Sequence, residues 1–444
     1  MKASVRLGEG LAATLILLAP AIWNRFPFLQ YDTGGYLARW FEGYLVPSRS
    51  TVYGLFAIAG WPLDFWPVVA LQAAAAVWII ALVLRSFGFG ERPFVLFGTV
   101  TALALTTSLP WLAGILLTDI FAGSSVLALH LLMFRPTTLK RRERIALVVF
   151  VGFAAATHSA TIAVLLAIVA TAGLGRVWYR ELAPGLKSGI VSIVLGAAML
   201  LAGNFALSGT LAWTPGGYGL VFARMLQDGI VTSYLDDHCP EHPYKLCPYR
   251  HRLPATADAF LWSVGPFNEL GRFDGLAQEM RTIVLESLVE YPVAQLKAAI
   301  ADTAEQLVKV ENGEGVETVI FHTYSIINYY LPSVAPAMRA ARQQHGGVGF
   351  RLLNDFEVPI ALISMLLLPL VILRSRQGEF GDLGLLAATV AIAVLVNAAV
   401  CGVLSNPHSR YGARIVWIAT FSVALVPMRI TVARRSQAAI TADA

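Results

Sequence analysis

Two short polar clusters stand inside otherwise hydrophobic sequence, and their side chains are of types that perform acid–base and phosphate chemistry. The first is Tyr31-Asp32-Thr33-Gly34-Gly35-Tyr36; the second is His408-Ser409-Arg410-Tyr411 with Arg414. Asp32 offers a carboxylate that, at a partly dry membrane edge, has a raised pKa and can take a proton from a hydroxyl. Asp32 or Thr33 is equally suited to cap a helix starting near Gly35, the two glycines tolerating positive φ. Arg410 and Arg414 are four apart and so share one helix face, each presenting a planar fork suited to phosphate oxygens. His408 and Tyr411 add donors. The plainer reading of such arginines is snorkelling to lipid headgroups. Charge beside a bilayer is costly, so a carboxylate and several cations over one membrane surface form a starting kit for chemistry on a lipid phosphate.

A further acid, Asp119 in Leu116-Leu117-Thr118-Asp119-Ile120, falls near the end of an apolar run. Pro110 predicts a short surface helix before it, which lifts Asp119 to the membrane boundary; the alternative is a hydrogen-bonded structural Asp. His158 sits between two apolar runs, either as a structural residue or as a partner for a phosphate or carboxylate. Cys239 and Cys247 flank a polar segment and predict a small disulfide loop if that segment lies in an oxidising compartment. The neighbouring Asp236, Asp237, His238 and His242 have ligand chemistry but no zinc spacing. Cys401 reads as a small core residue. No phosphate-binding loop, dinucleotide motif or zinc-protease helix occurs, and nothing supports a nucleic-acid partner.

The elements that must position these residues are membrane spans. The chain has 444 residues, 57% hydrophobic and 14% charged, with mean hydropathy +0.64, against about 25% charged in soluble domains. A span needs about 20 apolar residues, and the sequence predicts ten, at 7–24, 64–84, 93–109, 112–133, 145–157, 160–175, 188–208, 356–373, 382–404 and 414–431. The first reads as a retained signal anchor. With ten spans, the basic groups Arg85 with Arg92, Arg135 to Arg144, Arg176 to Lys187, Arg374 with Arg376, and Arg434 with Arg435 all fall on one side. The positive-inside rule makes that side cytoplasmic and places both termini there. The polar clusters then share the outward side with 25–63 and 209–355. The expected organisation is an N-terminal transmembrane region, 1–208, with seven spans and the outward loop 25–63. A mostly helical outward domain follows at 209–355, then a C-terminal region, 356–444, with three spans. Segments 36–41 and 53–58 are amphipathic and aromatic-rich, as in helices that lie flat in the headgroup region.

This layout resembles the GT-C superfamily of polytopic glycosyltransferases. The resemblance rests on Tyr31-Asp32-Thr33-Gly34-Gly35-Tyr36-Leu37 after span one, Thr118-Asp119-Ile120 in the next outward loop, and Arg410-Tyr411 in a late outward turn. It implies a GT-C-like all-α membrane fold and a periplasmic-facing site in a bacterial inner membrane. The implied donor is a polyprenyl-phosphate-linked sugar, and the acceptor a glycan, a glycolipid or a protein hydroxyl. In this reading Asp32 is the general base, with Asp119 beside it or on the acceptor. Arg410, Arg414, Tyr411, His408 and His158 bind the donor phosphate, and Tyr31 and Tyr36 line the substrate. Here the outward domain is internal, where several members carry it at the C-terminus. The first loop has no Asp-X-Asp or Glu-X-Asp signature, so nothing in the sequence requires a cofactor and a divalent cation stays open. The chain is also similar to bacterial membrane proteins with a cysteine-containing middle segment. The rival classes are a lipid-linked sugar flippase, which predicts charges along a transmembrane path and repeated halves, and a non-catalytic envelope assembly subunit, which predicts that Asp32 and Arg410 tolerate alanine. Transfer of another lipid-phosphate group, such as a phosphoalcohol, would use the same residues.

Overall fold

The computed structural model describes residues 3–90, 92–214, 216–239, 241–375 and 381–442. Among these the chain is all-helical, with no strand and a single isolated parallel bridge, Phe28 to Ile115. In order the helices are α1 (Ala3–Asn24), α2 (Tyr31–Glu42), α3 (Thr51–Ile58), α4 (Trp66–Ser86), α5 (Val95–Thr106), α6 (Leu109–Gly114), α7 (Ile120–Phe134), α8 (Arg141–Thr157), α9 (Ser159–Trp178) and α10 (Leu186–Ser208). The middle of the chain forms α11 (Gly217–Gln227), α12 (Ile230–His238), α13 (Ala257–Trp262), α14 (Pro266–Glu269), α15 (Arg272–Gly275), α16 (Ala277–Glu290), α17 (Pro292–Val308), α18 (Phe321–Tyr330) and α19 (Ala335–Arg339). The last three are α20 (Arg351–Ser375), α21 (Gly381–Leu404) and α22 (Ser409–Ala442).

Among the described residues seven helices are long and apolar enough to cross a membrane: α1, α4, α9, α10, α20, α21 and the first 23 residues of α22. This is the build of a multi-pass membrane protein. The other three expected spans fall on shorter helices, α5, α7 and α8, of 12, 15 and 17 residues. The expected span 112–133 is broken in two. Pro110 opens α6, which turns back, and residues 115–119 run outside any helix before α7 begins. A prolyl residue lacks the N–H a continuing helix needs, so Pro110 separates α6 from α5; the break at 115–119 instead follows the end of α6 at Gly114. The helix at Pro110, expected on the surface, is instead buried at Leu109, Pro110 and Leu112 to Gly114.

The loop after α1 is also more deeply placed than expected. The N–H of Phe28 donates to Gly114 O at 2.9 Å and that of Leu116 to Phe28 O at 3.0 Å, joining the first loop to the α6–α7 connection. The amide of Gln343 brackets Leu29, accepting from its N–H at 3.0 Å and donating to its carbonyl at 2.7 Å. Helix α2, expected to be amphipathic and presented to lipid headgroups, is largely covered by protein. Its residues Thr33 to Arg39 are buried between α3 and α18. The reason is local. A Cβ at Gly34 would sit 2.7 Å from Thr323 Cα, so only glycine lets α18 come this close, and the Gly34 N–H donates to Thr323 Oγ1 at 3.0 Å.

Segment 209–355 divides between two cores. Residues from Phe222 to Val284, on α11 to α16, enclose a separate hydrophobic cluster. Val310, Ile320, Ile326, Ile327 and Leu331 instead join the core of the main bundle. Cys239 and Cys247, with Cα atoms 5.4 Å apart, are disulfide-bonded beside the smaller core.

Candidate functional site

Asp32 is the second residue of α2. Neither it nor Thr33 is the cap: Gln30 is, its side chain accepting from Asp32 N at 2.7 Å while its own N–H donates to Thr33 Oγ1 at 3.0 Å. That reciprocal box satisfies the open first turn. Thr33 Oγ1 in turn donates to Leu116 O at 3.0 Å, which ties the start of α2 to the chain just before Asp119. The Asp32 carboxylate is thereby free of capping and is aimed across the bundle. Gly34 and Gly35 are helical rather than left-handed; they serve close approach, Gly35 by admitting the Arg49 side chain.

The second half of the site comes from α21 and α22. Asn397 on α21 donates to Tyr411 O at 2.8 Å and accepts from Arg414 Nη2 at 2.7 Å. Trp417, fully buried, lies over Gly123, where a Cβ would meet the indole nitrogen at 2.5 Å. This close packing of α22 on α7 brings the arginines to Asp119, which stands at the head of α7 but makes no capping bond.

The result is one charge cluster. Arg410 Nη1 donates to Asp32 Oδ2 at 2.6 Å, and its Nε lies 3.3 Å from Asp119 Oδ2. Arg414 Nη1 lies 3.8 Å from Asp119 Oδ1 and 3.5 Å from His158 Nδ1. Arg49 pairs with the other oxygen of Asp32. Glu314 accepts from the Arg410 backbone N–H at 2.8 Å and from His408 Nδ1 at 2.6 Å. His408 Nε2 faces Asp258 of the smaller core at 3.5 Å. Three guanidiniums and one imidazole thus face four carboxylates. Asp119 and Arg414 are almost wholly buried, at 2% and 1% side-chain exposure.

Burial pushes the Asp32 carboxyl up, but Arg49 and Arg410 outweigh it and hold the pKa down at about 2. The raised value expected for a general base is therefore not found while these arginines are engaged. His158 is pushed well below the usual histidine range by burial and by Arg414 and Arg410. Its Nδ1 also accepts from Ala160 N at 3.2 Å as the cap of α9, which fixes a neutral ring with the proton on Nε2. Burial lowers His408, yet its bonds to Asp258 and Glu314 carry it to about 9. Its ring is clamped between carboxylates and is not presented to a phosphate, contrary to expectation.

The structure brings together Asp32, Asp119, His158, His408, Arg410, Tyr411 and Arg414, as the sequence predicts. Both Arg410 and Arg414 lie about 5.3 Å from the Tyr411 ring. Tyr36 is buried against Tyr53 near Arg49, so it walls the cluster rather than lining an open site. Tyr31 does not join it; its half-exposed side chain faces Glu317, and burial together with that acid raises the hydroxyl to about 12. Arg49, Glu314, Asn397 and Asp258 were not foreseen. No sequence signal singled them out: Arg49, for one, shares the loop 25–63 with Arg25 and Arg39. Cys401 is buried as expected, but its sulfur accepts from Arg414 Nη2 at 3.2 Å.

A narrow cleft reaches the cluster between Phe28, Trp111 and Phe350, with Asp119, Glu314 and Arg410 as its charged groups. Its free space is about 30 Å³, room for a water molecule or two. Tyr36 Oη, Thr118 Oγ1 and Asp119 Oδ1 are buried without a well-formed hydrogen bond; Tyr36 faces Thr118, and Asp119 Oδ1 has Arg414 Nη1 at 3.8 Å. Among the described residues no three His, Cys, Asp or Glu side chains converge as metal ligands; the carboxylates here meet arginines. Chemically the cluster can hold an anion on two guanidiniums, beside carboxylates that a competing anion would release. The chain matches no protein-family model, and neither a curated protein nor a solved structure is similar to it.

Proposed function

We propose that the protein is an integral membrane glycosyltransferase that moves a sugar from a polyprenyl-phosphate donor to a periplasmic glycan, lipid or protein hydroxyl. The observation that carries this reading is the direct pairing of Asp32 with Arg410, 378 positions apart, beside Asp119 and Arg414. A carboxylate able to accept a proton and guanidiniums able to hold a phosphate lie at hydrogen-bond distance under an aromatic-walled cleft. In this proposal the chain crosses the bacterial inner membrane ten times, both termini are cytoplasmic, and the cluster faces the periplasm.

The resting cluster is closed on itself, so binding is an exchange of counter-ions. The donor phosphate takes Arg410 and Arg414 from the carboxylates. Asp32, relieved of Arg410 but still paired with Arg49, recovers part of its proton affinity. It accepts the proton of the acceptor hydroxyl as that oxygen bonds to the anomeric carbon, and the carbon–oxygen bond to phosphate breaks, releasing polyprenyl phosphate. The arginines stabilise the charge developing on the leaving phosphate. Neutral His158 steadies Arg414, and Asp119 re-forms its pairs when product leaves. A second reading follows from the same pairing: every guanidinium is already matched, as in a structural ion network that holds an assembly subunit together. The discriminating experiment is transfer from a panel of radiolabelled polyprenyl-phosphate sugars to membrane extract, with purified wild type, Asp32→Asn and Arg410→Ala. Transfer by wild type and its loss in folded Asp32→Asn supports the enzyme. No transfer from any donor, with an unchanged cellular phenotype in the variants, supports the structural reading.

A further inference from the structure

Helix α17 is built inside out. Its buried side chains are polar: Gln295, Asp302 and Gln306. Its exposed ones are mostly apolar: Val293, Leu296, Ile300 and Val308 are each about 60% exposed or more, and the exposed charges are Lys297 and, in the last turn, Glu305. At 100° per residue the two sets lie on opposite faces, one exposed and one buried. A helix on a water-soluble domain has the reverse arrangement. The inward polar groups are not orphaned as a set. Arg224 on α11 donates to Gln295 Oε1 at 3.3 Å and lies 4.0 Å from Asp302. The Gln306 amide accepts from His408 N at 2.9 Å and donates to His408 O at 2.8 Å.

The exposed apolar face continues around the corner onto the end of α16, through Leu288 and Val289. It also adjoins a membrane span. α17 packs on the end of α21, where a Cβ at Gly402 would meet the Asp302 carbonyl at 2.7 Å, and Leu395 and Leu404 of α21 are themselves exposed. The one charge within the apolar face, Lys297, is exposed and has a stem long enough to carry its ammonium to the headgroups.

We infer that the outer face of α17 and the end of α16 is embedded in the lipid hydrocarbon at the site end of the bundle, so that the middle segment of the chain is membrane-seated rather than free in water. Bilayer is the occupant because the face is continuous with a crossing helix, carries one long cation while the neighbouring acids Glu290 and Glu305 are paired with His238 and Lys309, and has turned its polar side chains inward, as lipid demands. The inference does not depend on the reaction proposed above. Lipid thereby reaches the helix that holds His408 in place.

The test uses full-length protein in nanodiscs of phosphatidylethanolamine and phosphatidylglycerol, spin-labelled at Leu296→Cys, Ile300→Cys or, as a water-exposed control, Val264→Cys, which is 97% exposed on the smaller core. Unsubstituted protein carried through the same labelling gives the background from buried Cys401. Oxygen concentrates in hydrocarbon and a polar nickel chelate is excluded from it. The oxygen-to-nickel collision ratio at 296 and 300 is therefore expected on the order of tenfold above that at 264. A ratio at both positions equal to that at 264 overturns the inference. So does shielding from both reagents, which would mean that protein, a partner or a second copy, covers the face.

Discussion

Helices α21 and α22 carry a cluster of arginine and aspartate at each end, and the two clusters obey different physics. At one end Arg135 and Arg429 share Asp382 at 3.6 and 3.0 Å, with each side chain between 22 and 27% exposed. Arg429 also donates to the carbonyl of Phe87, at the end of α4. Solvent screens these charges, and they tie helix ends together at small energetic consequence. At the other end, some 19 residues along α22 and so about 28 Å away, Arg410, 12% exposed, and Arg414, 1% exposed, meet Asp119, 2% exposed. Taking such charges out of water costs several kcal/mol per ion, and apolar packing would be at least as stable. The difference teaches where to look for chemistry: the half-wet cluster is explained by holding helices, while the dry one is more expensive than that task needs.

The comparison can be broken most severely at Arg410. Arg410→Ala removes the nearer of the two cations facing buried Asp119, leaving Arg414 at 3.8 Å, and a stability loss of about 3–5 kcal/mol is expected in thermal unfolding of the detergent-solubilised protein. A loss below that of a surface pair would mean that the cluster is wet. Gly34→Ala comes next. The added Cβ meets the Thr323 backbone, so α18 must move, with an expected loss of roughly 1–3 kcal/mol and weakened transfer because Asp32 moves with α2. An unchanged melting temperature would show that α18 is not seated on α2. Arg429→Ala, at the half-exposed end, is expected to lose about 1 kcal/mol or less and to leave transfer intact.

The smallest effect sharpens the picture by pH. His408 is raised to about 9 from an unfolded value near 6.5. Its bonds to Glu314 and Asp258 therefore add stability that is fully present below about pH 6.5 and disappears as pH rises through about 9. Unfolding of wild type against His408→Gln across that window should show the difference between them shrinking towards alkaline pH. A constant difference would mean that the ring is not an imidazolium in the folded protein. Asp32 works in the opposite sense. Its depressed value of about 2 adds stability above about pH 4 that is lost only as pH falls through about 2.

How much of this was legible in sequence depended on whether the residue stood out from its surroundings. Asp32, Asp119, Arg410 and Arg414 did, because a charge within or beside an apolar run has few bland explanations. Arg49 and Glu314 lie in polar loops where charges are ordinary, and only the fold brings them to Asp32 and His408. Gly34 and Gly35 were visible as unusual but read as turn residues; their use, admitting Thr323 and Arg49, depends on segments about 290 and 15 positions away. The span at 112–133 looked continuous in hydropathy because the break at 115–119 is itself apolar, and hydropathy does not register a change of direction. The helical character of 209–355 was readable, but that alone does not say which face of a helix is inward, and in α17 the polar face is.

The central claim is that the dry guanidiniums hold a lipid phosphate. The most direct measurement is binding of polyprenyl phosphate, without sugar, to purified wild type, Arg410→Lys and Arg429→Lys. Lysine keeps the charge but loses the planar fork. The account predicts binding to wild type, a loss of about tenfold or more in Arg410→Lys, equivalent to about 1.4 kcal/mol, and no change in Arg429→Lys. Equal weakening in both variants, or no binding to wild type, would contradict it.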